Sequence, residues 1–579
     1  MNTNLIAEEI LNRAKKWTLE PFDQETRTEV TNLIQNNPTA VTDAFYRDLE
    51  FGTGGLRGIM GPGTNRMNRY TVGMATQGLA NYLKKNFSDR KQISVAISYD
   101  SRNNNTLFAD TVASVLTGNN IKVFLSDTLR PTPELSFAIR HLGCESGIMI
   151  TASHNPKEYN GYKVYWEDGA QVIPPHDEGI IDEVRKISSV NEVIFEANPS
   201  LITSFGEEVD RAYLAEIIKL SLSPEAVKKQ AEMKIVYTAI HGTGTKLTPA
   251  ALASFGFKNI IPVEAQMIPD GNFPTVHSPN PEEPAALAMA IKLAKEEKAA
   301  LVMATDPDAD RVGIAVPDDS GEFILLNGNQ TASLLLYYLL NRYKELGTLP
   351  NNSYIIKTIV TTELLADMAK NAGIPCFDVL TGFKYIAGLI REREHEHTYL
   401  FGGEESYGYL FGDFVRDKDA VSACCMIAET AAWAATRGQS MLNLLEEIYQ
   451  KYGLYIEGLL SITRPGKTGA DEIIAMMAGY RQTPPTVING SKVIRIIDYK
   501  SQQNNDLLNN TITVVNQPIS DVIQFFTADG TKITVRPSGT EPKIKFYFGV
   551  KVPIEGSVKA STEKALHQIE LIKKEMNLV

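Results

Sequence analysis

The sequence predicts an α/β protein with four domains, of which three share a mixed α/β sheet plan and the last is an α+β domain. At 579 residues the chain exceeds the roughly 250 to 300 residues at which single hydrophobic cores stop growing. Apolar strands and amphipathic helices alternate in three rounds, which is typical of βαβ units. From about residue 456 the pattern changes to short strands rich in β-branched residues, which favours an α+β domain.

The three rounds of alternation can be assigned element by element. The first predicts helix 71–86, strand 93–100, helix 106–118, strand 121–127, helix 133–141 and strand 146–151. The second predicts strand 234–240, helix 248–256, strand 259–263, helix 283–297 and strand 299–305. The third predicts helix 329–345, strand 354–360, helix 362–372, strand 374–380, helix 384–396 and strand 398–402.

The C-terminal segment has a different rhythm. It predicts strands 456–463, 492–498, 521–526, 531–536 and 544–550, and a closing helix near 557–577. The changes of pattern along the chain place the four domains at residues 1–205, 206–318, 319–455 and 456–579.

Composition and charge exclude several classes of function. The 43% hydrophobic and 22% charged residues are those of an ordinary globular protein. The net charge of −12 argues against nucleic acid as a partner, since phosphate binding needs a basic face. No apolar run reaches the roughly 20 residues of a membrane span, and residues 1–17 predict an amphipathic helix rather than a signal peptide. We therefore expect a cytoplasmic protein without a membrane partner.

A single serine stands where the first round of alternation ends. Residues 147–150 are the apolar run Gly-Ile-Met-Ile, and residues 151–156 read Thr-Ala-Ser-His-Asn-Pro. Strand ends are where α/β proteins bind ligands, so Ser153 is the candidate nucleophile. A turn-forming role is the alternative. A Ser-His-Asp hydrolase that uses His154 is disfavoured because adjacent residues point apart on a strand and the G-x-S-x-G elbow is absent.

Three carboxylates follow the last strand of the second round. Asp306, Asp308 and Asp310 are spaced i, i+2 and i+4, so they converge only in a loop or extended segment. Such oxygens favour magnesium, manganese or calcium, whereas zinc prefers His or Cys. An EF-hand is excluded because its glycine and glutamate positions hold Arg311 and Pro317. An acidic turn held in water is the alternative, but closely packed carboxylates repel one another without a cation.

A lysine lies ten residues after the serine. Residues 159–163 read Tyr-Asn-Gly-Tyr-Lys, and we expect the Asn160-Gly161 pair to form a turn that returns Lys163 to Ser153. A lysine at that place can exchange protons or neutralise phosphate.

Two glycine-containing segments suit the binding of anions. Residues 53–58, Thr-Gly-Gly-Leu-Arg-Gly, let Arg57 clamp an oxyanion, and residues 536–543, Arg-Pro-Ser-Gly-Thr-Glu-Pro-Lys, offer a guanidinium and two hydroxyls. An ordinary turn is the alternative for the second segment. Neither residues 53–58 nor residues 241–246 match the nucleotide P-loop.

Two segments of the third round suit sugar hydroxyls. Residues 402–408, Gly-Gly-Glu-Glu-Ser-Tyr-Gly, offer acceptors from Glu404 and Ser406, with a helix N-cap as the alternative. Residues 381–384, Thr-Gly-Phe-Lys, add a hydroxyl and a cation, or form a plain strand-to-helix connection.

In chain order, four of these segments resemble the motifs of the α-D-phosphohexomutase superfamily, which contains the phosphoglucomutases and phosphomannomutases. They are residues 151–156, 306–311, 403–406 and 536–540, one in each predicted domain, and the likeness spans about residues 45–550. The resemblance implies an intramolecular phosphotransferase of the isomerase class, with four domains around a central cleft.

The resemblance also implies roles for single residues. Ser153 is then the phosphoserine, with Mg²⁺ bound by the serine phosphate together with Asp306, Asp308 and Asp310. Lys163 is a general acid or base, Arg57 and Arg311 are cationic supports, and His154 joins the catalytic candidates as the neighbour of Ser153. The implied substrate-binding residues are Glu404, Ser406, Arg536, Ser538, Gly539 and Thr540, and Thr381, Gly382 and Lys384 of the segment 381–384 are candidates beside them.

The implied reaction interconverts glucose 1-phosphate and glucose 6-phosphate, with glucose 1,6-bisphosphate as intermediate and activator. Enzymes of dual glucose and mannose specificity carry Gly-His after Glu-x-Ser, whereas Tyr407-Gly408-Tyr409 follows Ser406 here. With the long segment before Phe51, this resembles the phosphoglucomutase-2 branch, some of whose members prefer pentose phosphates. Phosphopentomutase and phosphomannomutase activity are therefore alternatives, and a metal-dependent sugar phosphatase or a non-enzymatic sugar-phosphate sensor are more distant ones. We expect sugar phosphates as small-molecule partners and a monomer or weak homodimer.

Overall fold

The structure, a computed structural model, describes residues 6–52, 54–464, 466–538 and 543–578. Two compact units make it up. The first comprises Met1–Leu326, Phe383–His395 and Tyr407–Thr436, and the second comprises Asn327–Gly382, Glu396–Ser406 and Arg437–Val579. Within these described ranges no helix combines the length and the apolar character needed to cross a lipid bilayer.

Three short helices open the first unit: α1 (Glu8–Lys16), α2 (Gln24–Asn36) and α3 (Pro38–Phe45). Trp17 holds them together, since its ring stacks on Phe22 at a centroid distance of 4.4 Å and meets Phe45 edge-on at 5.7 Å. It also meets the ring of Tyr70 at 5.6 Å, which ties the helices to the first sheet domain.

Six strands form the first sheet: β1 (Gly55–Ile59), β2 (Ser94–Tyr99), β3 (Lys122–Ser126), β4 (Ser146–Ile150), β5 (Tyr159–Trp166) and β6 (Ile202–Phe205). They lie in the order β1-β5-β4-β2-β3-β6; β5 pairs antiparallel with both β1 and β4, and the remaining pairs are parallel. β4 is buried along its whole length, as a continuous apolar run predicts for an inner strand. The helices of this domain are α4 (Arg69–Asn86), α5 (Asn105–Gly118), α6 (Thr132–Leu142) and α7 (His176–Lys186).

The second sheet has five strands: β7 (Ile235–Thr238), β8 (Ile260–Pro262), β9 (Leu301–Thr305), β10 (Val312–Pro317) and β11 (Phe323–Leu326). Their order is β11-β10-β9-β7-β8, and β9 pairs in parallel with β7 but antiparallel with β10. Its helices are α8 (Glu207–Ile218), α9 (Pro224–Lys229), α10 (Gly244–Phe255) and α11 (Pro284–Glu297).

Residues 328–452 contribute to both units. Their elements are α12 (Gly328–Leu346), β12 (Ser353–Thr358), α13 (Leu364–Asn371), β13 (Cys376–Val379), α14 (Phe383–Arg393), β14 (Thr398–Gly403), β15 (Tyr409–Phe411), α15 (Ala420–Thr436) and α16 (Met441–Tyr452). In the second unit β12 pairs in parallel with β13 and with β14. α14, β15 and α15 belong to the first unit.

The C-terminal part of the second unit is built on an antiparallel sheet. Its elements are β16 (Leu454–Thr463), α17 (Gly466–Gln482), β17 (Val487–Ile488), β18 (Ser491–Asp498), β19 (Gln503–Asp506), β20 (Thr511–Val514), β21 (Ile523–Thr527), β22 (Lys532–Pro537), β23 (Lys543–Val552) and α18 (Val558–Glu575). The order is β16-β23-β22-β21-β18-β19-β20, with β17 on β18. β23 alternates between buried and half-buried residues, the period-two pattern of a strand with one face on the core.

The predicted fold class is confirmed: three mixed α/β sheets are followed by an α+β segment with an antiparallel sheet. The domain boundaries given above stay a prediction.

Candidate active site

Ser153 lies in a strained loop directly after β4. Its φ is +53°, a left-handed conformation that non-glycine residues seldom adopt and that clusters at functional sites. The Thr151 hydroxyl accepts a hydrogen bond of 2.8 Å from the Ser153 amide, which fixes the turn. The serine is 4% exposed. The serine therefore lies in a loop at a strand end, as the sequence predicts, and the structure shows in addition that it is nearly buried.

Lys163 returns to the serine through strand pairing rather than through a turn. Asn160 and Gly161, expected to form a turn, lie inside β5, where Gly58 pairs with Asn160 and Arg57 pairs with Gly161. That expectation was wrong. A Cβ at Gly161 would lie only 2.4 Å from the Thr151 carbonyl oxygen. The glycine therefore allows the two chain segments to approach closely. The chain reverses earlier, and antiparallel pairing sets Lys163 opposite Met149 on β4.

The three aspartates occupy the hairpin loop between β9 and β10. Antiparallel pairing of Thr305 with Val312 closes the loop. All three carboxylates are buried, and they offer oxygen atoms that lie within 4.8 Å of one another. The Oδ1 atoms of Asp308 and Asp310 have no hydrogen-bond partner. Buried, unpaired, convergent oxygens are what a hard divalent cation requires, so this cluster suits a metal ion.

The serine and the aspartate loop meet. Ser153 Oγ donates a hydrogen bond of 2.8 Å to Asp306 Oδ2. The other oxygen of Asp306 accepts bonds of 3.1 and 3.0 Å from the amides of Asp310 and Arg311, which orient the carboxylate. Two motifs 153 positions apart thus lie in direct contact.

Electrostatics in the cluster favour a bound cation. Burial, and then the carboxylates of Asp308 and Asp310, raise the pKa of Asp306 well above its usual value. Burial acts in the same direction on Asp308, but the Lys163 ammonium outweighs it, so the pKa of Asp308 lies below its usual value. Mutual repulsion of the carboxylates is therefore part of what raises the pKa of Asp306, and a divalent cation would relieve it.

Lys163 contacts the carboxylates of this cluster directly. Its Nζ donates a bond of 2.8 Å to Asp308 Oδ2 and lies 3.5 Å from Asp310 Oδ2. Burial acts to lower the pKa of Lys163, yet the two carboxylates more than compensate and raise it. The ammonium form is therefore the one present beside the serine loop.

A second lysine, which the sequence analysis missed, reaches the same carboxylates. Lys418, between β15 and α15, lies with its Nζ 3.1 Å from Asp310 Oδ2 and 3.1 Å from Asp417 Oδ1. A Cβ at Gly408 would stand 2.2 Å from Lys418 Cδ, so this glycine opens the path of the side chain. The signal available in the sequence was the dense run of charges at residues 416–419, Arg-Asp-Lys-Asp, before an apolar helix.

Two arginines and a histidine surround the serine loop. Arg57 on β1 donates a bond of 3.3 Å to the Asn155 side chain. Arg311 donates a bond of 3.2 Å to Glu282. The Nδ1 atom of His154 lies 3.2 Å from Ser153 Oγ. Burial, then Arg311 and Arg57, lower the pKa of His154 to about 2, so this imidazole is neutral and contributes no positive charge.

In the second unit, Glu404 and Gly382 come together. Glu404 follows β14, is 6% exposed, and accepts a bond of 3.0 Å from the Gly382 amide. Gly382 has a φ of +117°, a conformation that favours glycine. The neighbouring Glu405 turns to the Thr358 hydroxyl at 3.2 Å, so the two adjacent glutamates have different partners. Thr381 precedes Gly382 and is half-buried.

Lys384 falls in the first unit, on α14. It is 8% exposed, and its Nζ lies 3.8 Å from Asp177 Oδ2. Its predicted role in substrate binding stays a prediction.

The predicted phosphate-binding segment begins at Arg536, in the last two residues of β22. Arg536 is half-buried, and the Ser538 amide donates a bond of 2.7 Å to the Lys543 carbonyl. Gly539 and Thr540 lie outside the described residues. Tyr547 on β23, missed in the sequence analysis, lies near both motifs of this unit. Burial first, and then Glu405, raise the pKa of Tyr547 to about 12 against the opposing effect of Arg536.

The sequence matches the phosphoglucomutase/phosphomannomutase family over four segments. Residues 48–191, 211–321 and 327–452 match its α/β/α domains I, II and III, and residues 495–557 match its C-terminal domain.

Curated relatives resemble the chain over most of its length. A protein named phosphoglucomutase from Staphylococcus haemolyticus is 39% identical over 512 residues, which cover 88% of this chain and 91% of that protein. A phosphoglucomutase from Staphylococcus aureus is 40% identical over 514 residues, with the same coverage of 88% and 91%.

Solved structures show the same fold. Parafusin, a phosphoglucomutase from Paramecium in its open form, has a TM-score of 0.70 and 18% identity, covering 92% of this chain and 95% of its own. A crystal structure of a phosphoglucomutase/phosphomannomutase family protein from Burkholderia thailandensis has a TM-score of 0.64 and 18% identity, covering 91% of this chain and 97% of its own. At such identities the likeness concerns the fold alone.

Proposed function

Because the chain belongs to the phosphoglucomutase/phosphomannomutase family, we propose that it interconverts α-D-glucose 1-phosphate and glucose 6-phosphate. The proposed route uses phosphorylated Ser153 and a glucose 1,6-bisphosphate intermediate. The observation that carries the proposal is the 2.8 Å hydrogen bond from Ser153 Oγ to Asp306, because it sets a phosphoryl-accepting hydroxyl against a buried carboxylate cluster.

Mg²⁺ is the proposed ion of that cluster. Asp306, Asp308 and Asp310 would hold it together with an oxygen of the phosphate on Ser153. The support is the chemistry of the donors, since all are hard oxygens and the Oδ1 atoms of Asp308 and Asp310 accept no hydrogen bond. When bound, such an ion neutralises charge on the transferred phosphoryl group.

Phosphoryl transfer follows from the positions of these groups. The bond between phosphorus and Ser153 Oγ breaks as a bond from a sugar hydroxyl oxygen to phosphorus forms. The hydroxyl loses its proton, and Ser153 Oγ gains one. Lys163 is the proposed carrier of this proton, and Lys418 adds positive charge beside Asp310. Little bonding chemistry is left to the protein, so positioning and charge account for the catalysis.

The remaining motifs are proposed to hold the sugar phosphate. Arg536 and Ser538, with Gly539 and Thr540, would bind the phosphate that is not being transferred. Glu404 and Ser406, with Thr381, Gly382 and Lys384, would bind sugar hydroxyls or add a cation. The bisphosphate then turns around and returns its other phosphate to Ser153, so that one site serves both ends.

One assay separates this proposal from a phosphatase. The protein is incubated with glucose 1-phosphate, Mg²⁺ and a catalytic amount of glucose 1,6-bisphosphate. The mutase forms glucose 6-phosphate, whereas a phosphatase releases inorganic phosphate and a sensor changes nothing. Mannose, N-acetylglucosamine and ribose 1-phosphates, tested side by side, decide the sugar. We expect glucose to have the highest kcat/KM, because relatives of about 40% identity are named phosphoglucomutase. We expect a lower kcat/KM for mannose, because the Tyr407-Gly408 pair replaces the Gly-His of the dual-specificity enzymes.

Two further proposals concern the protein in the cell. We place it in the cytoplasm, as expected for an enzyme of sugar phosphates, and we expect a monomer or weak homodimer. Cell fractionation and sedimentation test these two statements.

A further inference from the structure

The loop that carries Ser153 is held by a single guanidinium. Arg102 lies between β2 and α5, and its side chain is fully buried. It donates hydrogen bonds to the carbonyl oxygens of Ser153 at 2.6 Å, Pro156 at 2.9 Å and Tyr159 at 3.0 Å, and to that of Asn155. The carbonyls of Ser153, Asn155 and Pro156 belong to the reversal between β4 and β5, and that of Tyr159 to the first residue of β5.

The same loop is tied at its start by a neighbour of Arg102. Asp100 accepts a bond of 2.6 Å from the Thr151 hydroxyl, and Thr151 in turn accepts the amide of Ser153. Asp100 also accepts the Arg102 amide at 2.9 Å. Both ends of the strained Ser153 residue are therefore fixed by residues 100–102.

A residue of the second sheet domain packs on the Arg102 guanidinium. The ring of Phe273 lies over the Arg102 guanidinium, with 5.1 Å from Cζ to the ring centroid. Phe273 is itself 1% exposed. An aromatic face stabilises a desolvated guanidinium and restricts its plane.

We propose that Arg102 is a positioning residue, which holds the main chain of the serine loop so that Ser153 Oγ stays at the aspartate cluster. The inference rests on the proposed function for its effect on turnover. Arg102 has no exposed surface with which to meet a substrate, so it acts through the loop. Lysine cannot replace it, because one ammonium cannot span four carbonyls that a planar fork of donors reaches.

The test compares Arg102→Lys with a matched control, Arg481→Lys. Arg481 is also largely buried and binds Asp498 and Asp521, but it belongs to the second unit and has no role in the site. We expect Arg102→Lys to lower kcat about 100-fold with little change in KM, since a misplacement of about 1 Å costs that much. Arg481→Lys should retain the wild-type kcat. Equal kcat values for the two variants would overturn the proposal.

Hydrogen exchange supplies a readout that does not depend on turnover. In Arg102→Lys, peptides covering residues 151–159 should exchange faster than in the wild type, while peptides of the second sheet should be unchanged. Faster exchange throughout the first unit, or none in the loop, would overturn the positioning role. If the wild type itself shows no mutase activity, the proposed function fails and this measurement still decides the role of Arg102.

A milder variant covers the case in which Arg102→Lys does not fold. Phe273→Leu keeps the guanidinium and removes only the aromatic face. We expect a smaller loss of kcat with the same local rise in exchange at residues 151–159. The proposal is refuted if Arg102→Lys does not fold and Phe273→Leu has the kcat and the hydrogen exchange of the wild type. The guanidinium would then matter only to folding.

Discussion

Single residues carry the chemistry, and their partners lie far away in the sequence. Ser153, Lys163 and the three aspartates could be predicted because each motif has its own residue types and spacing. Their mutual distances could not, since the bond from Ser153 to Asp306 depends on two separate sheets. Lys418 escaped prediction for the same reason, because only the fold brings residue 418 to Asp310.

Lys163 offers the sharpest test at this scale. We expect Lys163→Met to lower kcat by roughly 100- to 10,000-fold, the range found for a lost general acid or base. Lys122→Met is the control, because Lys122 packs on the Phe124 ring at 4.3 Å and has no contact with the aspartates. Steady-state kinetics from pH 6 to pH 9 are the measurement. Similar kcat values for the two variants would remove Lys163 from the mechanism.

Helices and strands were the more predictable part. Long periodic segments such as α4, α11 and β23 lie close to their predicted positions, because apolar spacing decides them. α17 was missed, since Gly466, Gly469 and Gly479 lower its helix propensity. The Asn160-Gly161 pair was wrongly predicted to form a turn. Local sequence favours a turn there, but pairing with β1 incorporates both residues into β5.

The first residue of α6 supports the metal cluster. Thr132 donates its hydroxyl to Asp308 Oδ2 at 2.9 Å, and its amide to the Asp308 carbonyl at 2.9 Å. We expect Thr132→Val to weaken Mg²⁺ binding by about 10-fold or more, as losses of outer hydrogen bonds to metal ligands do. Calorimetric titration of the dephosphorylated protein with Mg²⁺ is the measurement.

Thr111→Val provides the control for that titration. Thr111 is a buried threonine on α5 whose hydroxyl donates only to the Leu107 carbonyl. Its Mg²⁺ affinity should equal that of the wild type. If Thr132→Val also binds Mg²⁺ with wild-type affinity, the orientation of Asp308 does not depend on α6.

In the second unit, Glu363 joins two lysines. It accepts bonds of 2.8 Å from Lys357 and 2.5 Å from Lys532. Burial acts to raise the pKa of Glu363, but Lys357 and then Lys532 hold it well below its usual value. A carboxyl of lowered pKa stabilises the folded state above its unfolded pKa of about 4.3, and this contribution is lost as the pH falls.

We therefore expect Glu363→Gln to destabilise the protein at pH 7 by about 2 to 3 kcal/mol, because a buried lysine loses its counter-charge. The difference in the free energy of unfolding between Glu363→Gln and the wild type should be smaller at pH 4 than at pH 7. Urea midpoints at the two pH values measure it, with Glu446→Gln, an exposed position on α16, as control. A difference that grows at pH 4 would contradict the sign of this linkage.

At the scale of the whole molecule, the charge distribution is uneven: the protein is acidic, but its proposed substrate is an anion. The net charge is −12, yet Arg57, Lys163, Arg311 and Lys418 concentrate positive charge around Ser153. The four-part plan could be predicted from the alternation of elements and the order of the motifs. The division into two compact units could not, because α14, β15 and α15 join the first unit, whereas β13, β14 and α16 join the second.

The central claim is that Ser153 carries the phosphoryl group between sugar and enzyme. The direct measurement is mass spectrometry of the protein after mixing with glucose 1,6-bisphosphate and Mg²⁺, followed by addition of glucose 1-phosphate. We predict that one phosphoryl group appears on Ser153, that glucose 1-phosphate removes it within one turnover, and that Ser153→Ala neither gains the group nor turns over. Turnover without a phosphoryl group on Ser153, or an active Ser153→Ala protein, would contradict the account.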